Sequence, residues 1–176
     1  MLSITAFLLD FVLGALFFAA FYYKLNTFRD FELSVQSYHV LPFSLTRPAA
    51  IGLLLFELVL FISFASGQAL YYKELGAIVL LLAFSVLLVR KRRLDQEKGS
   101  ACSCFGSIDF LNRYPLSRNS ILIGICAIKC LLPAAVLSAQ ASFQQFILHS
   151  VVTCSCLLLV DYMQTRKRYI ALQVRE

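Results

Sequence analysis

Tryptophan is absent from the 176 residues, and charged side chains make up only 15% of them. A soluble domain carries about a quarter charged residues, so the second shortage argues against a soluble fold. No positive charge precedes the first apolar run, and that run ends in bulky Phe21-Tyr22-Tyr23 where a signal peptide would show small residues. A cleavable signal is therefore not expected, and the first run should stay in the protein as a helix. There is no low-complexity segment and no internal repeat of about 20 residues or more, which sets aside repeat architectures.

What is present is apolar and clustered. The chain is 60% hydrophobic with a mean hydropathy of +0.77. A bilayer span takes about 20 predominantly apolar residues, and stretches at approximately 4–23, 48–66, 70–89, 120–138 and 143–162 qualify. The third is short unless it starts near Leu70. These stretches fill more than half of the chain, leaving no room for a separate soluble domain. The expectation is one membrane domain over residues 1–176: an all-α, polytopic bundle of about five transmembrane helices. Without Trp, the interfacial aromatic belt falls to Tyr22, Tyr23, Tyr71, Tyr72 and Tyr162, all at predicted span ends.

The net charge of +6 is unevenly placed. Segments 24–47, 90–118 and 166–176 share one side if there are five spans, and they hold 14 of the 16 Lys and Arg. The opposite side has only Lys73, and Lys129 lies inside the fourth span. Short basic loops stay cytoplasmic, which predicts an N-terminus outside and a C-terminus inside the cell (cytoplasmic) membrane. The basic charge is then a topology signal with some attraction to anionic lipid, and no nucleic-acid partner is expected.

Two segments between spans carry patterns of their own. Phe28, Phe31, Val35 and Tyr38 recur at helical spacing among Arg29, Asp30, Glu32 and Gln36, predicting an amphipathic surface helix at about 28–40. Leu41-Pro42 ends it, because proline disfavours helix in the residue before it. That helix either covers the end of the bundle or offers a lid or docking surface. Segment 94–118 is the longest polar stretch, yet Phe105, Ile108, Phe110 and Leu111 make it too apolar for a plain linker.

Within it lies Cys102-Ser103-Cys104-Phe105-Gly106. Cysteines at i and i+2 can close only a small, strained disulfide ring, and strained exposed disulfides have raised reduction potentials. Such a bond is a poor staple and is suited to exchange. Neighbouring Arg and Lys favour the reactive thiolate. The alternatives are two inert loop thiols or half of a zinc site, and a structural zinc needs more ligands. His39 is the one other candidate ligand on that side, so no metal site is assigned.

The remaining cysteines are also paired. Cys126 and Cys130 stand one turn apart on the fourth span, beside Lys129. Cys154 and Cys156 lie on the fifth. Counted from the basic side, Cys126 and Cys154 are about 12 Å deep and Cys156 about 9 Å, depths that permit a thiol relay without showing that the helices touch. An intramembrane Lys is costly and needs a partner. Glu57, in mid-span two, is at a matching depth, so Lys129 and Glu57 are expected to pair. That pair either locks spans two and four, or Lys129 tunes a nearby thiol or binds a polar ligand such as a quinone head group. His149, Asp161 and Asp10 read as interface residues.

Together these features resemble a known group. Lys24-Leu25 closing span one, then Phe31, Val35, Tyr38, Leu41-Pro42 and Glu57, are similar to the MauE (methylamine utilisation) group of DoxX-like membrane proteins. In that group a basic stretch after the third span leads to Cys-Gly-Cys-Phe-Gly, and an Arg-Asn pair opens the fourth. Here these are Cys102–Gly106, with Ser103 in place of the usual glycine, and Arg118-Asn119. The resemblance covers approximately residues 10–135. It implies a redox-associated protein working beside a thioredoxin-fold, MauD-like partner to form, reduce or rearrange disulfides in exported clients. A methylamine pathway does not follow from it. Disulfide formation belongs outside, whereas charge places Cys102 and Cys104 inside. Import of reducing equivalents from the cytoplasm, as in CcdA-like proteins, reconciles the two, and so does a motif drawn into the bundle.

The expectation is thus thiol–disulfide exchange at Cys102 and Cys104, with Phe105, Gly106, Arg118 and Asn119 as motif support. Glu57 and Lys129 would give buried polar support, and Cys126, Cys130, Cys154 and Cys156 are candidate relay thiols. The competing classes are a non-catalytic scaffold subunit and a bundle that binds a membrane quinone or another small molecule. No cofactor is fixed beyond that quinone candidate.

Overall fold

A long apolar run has one stable form in lipid, because a helix satisfies its backbone polar groups internally. A computed structural model of the chain describes residues 2–38, 40, 42–67, 71–94, 115–131 and 139–173. Among these the elements are all helices: α1 (Leu2–Asn26), α2 (Phe28–Gln36), α3 (Phe43–Ser66), α4 (Tyr72–Leu94), α5 (Pro115–Leu131) and α6 (Ala139–Gln173). The chain is a polytopic helical membrane protein.

Four helices are long and apolar enough to cross a bilayer, within α1, α3, α4 and α6. The described part of α5 has 17 residues, about 25 Å of helix, just short of a full crossing. It nevertheless runs antiparallel to α4, with Asn119 beside Ser85 at one end and Lys129 beside Glu74 at the other. Successive long helices therefore alternate in direction. Their outward faces carry exposed side chains such as Leu55, Val59, Val79, Val86 and Leu158, which suit lipid.

The most extensive packing is α1 against α3 and α4 against α5, while α6 lies against α3 and α1. The core between them gathers Leu13, Phe17, Leu60, Phe61, Phe64, Leu80 and Leu81. Phe17 stacks on Phe64, and Phe18 lies tilted against Phe61. Helix α3 starts at Phe43, ahead of Pro48. It ends at Gly67, whose φ of 65° is left-handed, the conformation that glycine adopts most readily.

The amphipathic stripe between the first two long helices is α2. Phe31 and Val35 are buried against Ala50 and Leu54 of α3, and Tyr38 beyond its end is buried too. The stripe thus clamps α2 onto the bundle. Tyrosines divide into two kinds. Tyr71, Tyr72 and Tyr162 are exposed as an interfacial belt requires. Tyr23 is buried and Tyr22 half-buried, and both hydroxyls donate to the Asp161 carboxylate, at 3.2 and 2.7 Å.

Candidate functional site

Buried charges in lipid must find partners, and here they collect in two layers at opposite ends of the bundle. One layer joins α1, α4 and α5. Lys73 Nζ lies 3.1 Å from Asp10 Oδ1, and Lys129 Nζ pairs with Asp10 and, at 3.0 Å, with Glu74. Both ammonium groups also sit about 5.5 Å from the Phe64 ring centre, a cation–π distance. Two carboxylates and two ammonium groups make this layer neutral.

The second layer lies about 21 Å along α1 from Asp10. Lys24 donates to Glu57 Oε1, and both side chains are buried. Phe84 and Phe31 flank the ammonium, with ring centres 4.6 and 5.1 Å away. On the facing helix Arg118 donates to Asn119 Oδ1, and Asn119 Nδ2 donates to Ser85 Oγ at 3.3 Å. Glu57 Oε2 is buried with no hydrogen-bond partner among the described residues. Lys24, Glu57, Arg118 and Asn119 close one end of a cavity whose walls are apolar, among them Leu13, Ala20, Leu81, Leu88 and Leu122. The segment carrying Cys102–Gly106 leaves α4 after Leu94 and rejoins the bundle at Pro115, three residues before Arg118. Its two anchors are therefore at this same end.

The family model for the methylamine utilisation protein MauE matches residues 2–132. The chain belongs to the MauE family. The match covers α1 to α5 and the Cys-Ser-Cys-Phe-Gly segment, and leaves α6 outside. No curated protein and no solved structure matches the chain.

Against this frame of a MauE-family membrane protein, the expected Glu57–Lys129 pair does not form. Each finds other partners, because α3 and α5 share no backbone contact among the described residues. Glu57 and Lys129 also lie in opposite layers, so the depths counted along their separate helices do not match either. Lys24 and Lys73, read as loop charges, are instead buried ion-pair partners, and Asp10 is a bridge rather than an interface residue. The signal was available: every charge within a span needs an opposite charge, and Asp10, inside the first apolar stretch, has none within reach on its own helix. His149 is buried as well, stacked 4.5 Å from Phe11 and edge-on to Phe61.

The motif residues Cys102, Cys104, Phe105 and Gly106 lie outside the described residues. Of the other cysteines, Cys126 is fully buried, Cys130 half-buried, and Cys154 and Cys156 exposed; all four are free thiols. Helices α5 and α6 share no backbone contact among the described residues, so the two pairs are not brought together. Among the described residues, no three His, Cys, Asp or Glu side chains are grouped to hold a metal ion.

Proposed function

We propose that this MauE-family protein carries out thiol–disulfide exchange with a thioredoxin-fold partner through Cys102 and Cys104, in support of an exported client. The observation that carries the reading is the coverage of the family match: it spans the Cys-Ser-Cys-Phe-Gly segment together with Glu57 and Arg118-Asn119. A Cys-x-Cys disulfide suits exchange because its small ring is strained and readily opened. In one direction, a partner thiolate attacks that bond, forming an interchain disulfide and releasing one cysteine of the pair as a thiolate. The partner's second thiol then resolves the mixed disulfide, leaving the partner oxidised and Cys102 and Cys104 reduced. The reverse sequence runs by the same steps, and two electrons pass either way. Lys24, Glu57, Arg118 and Asn119 would form the polar floor at the anchors of the segment. The buried Cys126 and the outward-facing Cys154 and Cys156 are not needed for this exchange.

The test is acid quenching and non-reducing electrophoresis of cells carrying a partner stripped of its resolving cysteine. The expected result is a mixed disulfide with the unaltered chain and none with Cys102→Ser/Cys104→Ser. Client maturation should fall at least tenfold in the double variant while membrane insertion is unchanged. Full client maturation by the double variant would sink the exchange reading and favour a scaffold subunit.

A further inference from the structure

The cavity between α1, α3, α4 and α5 has one polar end and an apolar body. Along α1 its lining runs from Leu13 to Lys24, about 16 Å of helix. Glu57 is only 2% exposed. Its Oε1 accepts from Lys24, while its Oε2 has no partner among the described residues. A buried carboxylate oxygen left in that state loses on the order of 1–3 kcal/mol or more, so a site that leaves it open is built for something that donates.

The geometry points to a binding site for a lipid-soluble molecule with an apolar body and a hydroxyl-bearing head. The head is fixed by the polar end. Glu57 Oε2 requires a donor, whereas Lys24 and Arg118 have donors and no acceptors. One hydroxyl serves both, donating to Glu57 and accepting from a neighbouring cation. A carboxylate head offers no donor and is repelled by Glu57; an ammonium head is repelled by Lys24 and Arg118. The body is fixed by the leucines and Ala20, since a pocket with apolar walls and a few convergent polar groups binds a ligand of the same pattern. Two sources share this chemistry: a reduced quinone with its ring hydroxyls, and a lipid with a free hydroxyl. The inference stands apart from the thiol reading, because binding at Glu57 asks nothing of Cys102 or Cys104.

The probe is radiolabelled 2-decylbenzene-1,4-diol, added to the full chain in phosphatidylcholine nanodiscs, with empty discs subtracted. The expected result is saturable retention. Glu57→Gln should weaken it about tenfold or more by removing the carboxylate acceptor. Ala20→Leu should remove it by filling the cavity away from the ion pair, and a monodisperse elution profile confirms folding of each variant. Competition by dodecan-1-ol at similar concentration supports the site and assigns it to lipid hydroxyls; failure to compete, with the diol still retained, supports the site and assigns it to the ring. No saturable retention of the diol, or retention unchanged in folded Ala20→Leu, overturns the proposal and leaves the cavity to solvent.

Discussion

Lys24 and Glu57 are the most consequential pair of single residues in the bundle. Removing one member of a buried ion pair leaves an uncompensated charge, and the loss is about 3–5 kcal/mol, whereas replacing both by apolar residues of similar volume is often close to neutral. Lys24→Met and Glu57→Met should each destabilise the full chain by about that amount in a denaturing-detergent titration. The double variant should lose much less than the sum of the two. Additive losses would mean that the two side chains do not interact. Lys24 had seemed a topology charge closing the first span, because a lysine at the end of an apolar run has the same one-letter pattern whether it turns outward or inward. Packing of Phe31 and Phe84 around its ammonium turns it inward, and Phe84 comes from a helix distant in sequence.

At the scale of elements, α6 is held to the bundle by a narrow seam. His149 packs where a side chain on Gly14 would be: an added Cβ there would meet His149 Cε1 at 2.5 Å and Phe64 Cβ at 3.3 Å. The smallness of Gly14 is therefore what lets α1 and α6 approach, as small residues do at membrane helix interfaces. Gly14→Ala should lower stability by about 1–3 kcal/mol, the usual penalty of overpacking, read as a fall in the thermal midpoint in detergent. His149→Ala in the same chain should restore part of the loss; if it restores none, the seam is not the cause. Asp161 holds the far end of this seam through Tyr22 and Tyr23. Helix α2 shows the opposite case, an element legible from spacing alone, since Phe31 and Val35 at i and i+4 are the residues it buries.

For the molecule as a whole, burial sharpens the charge asymmetry. Setting aside the buried Lys24, Lys73 and Lys129 leaves 13 of the 16 Lys and Arg, all in the segments at the end where α1 finishes. The positive-inside tendency predicts that end in the cytoplasm and the α1 N-terminus outside. In chains with a single cysteine, a membrane-impermeant thiol reagent should label Cys104 only from the cytoplasmic side. It should label Tyr72→Cys, at the exposed start of α4, only from outside. The reversed pattern inverts the orientation, and labelling of both from one side breaks the alternation of helices. An inside location would keep any Cys102–Cys104 disulfide in a reducing compartment, where such bonds are transient and catalytic.

The sequence by itself determined the class of the molecule and the outline of its elements. Five long apolar stretches, a surface helix starting at Phe28 (expected to about 40, ending at Gln36) and a one-sided basic charge are local properties, fixed by solvent preference and helical period. The Cys-Ser-Cys-Phe-Gly segment and Arg118-Asn119 were equally legible, as words in one chain. Only the tertiary structure decided which buried charges meet. Counting from helix ends sets Glu57 and Lys129 level, yet they lie in opposite layers: the pairing of Lys24 with Glu57, and of Lys129 with Asp10 and Glu74, depends on which helices are neighbours and how they are staggered. That choice is made by packing of small and large side chains across interfaces, such as Gly14 under His149. The cavity above Glu57 has the same origin: its walls come from four helices, and no one of them carries its shape.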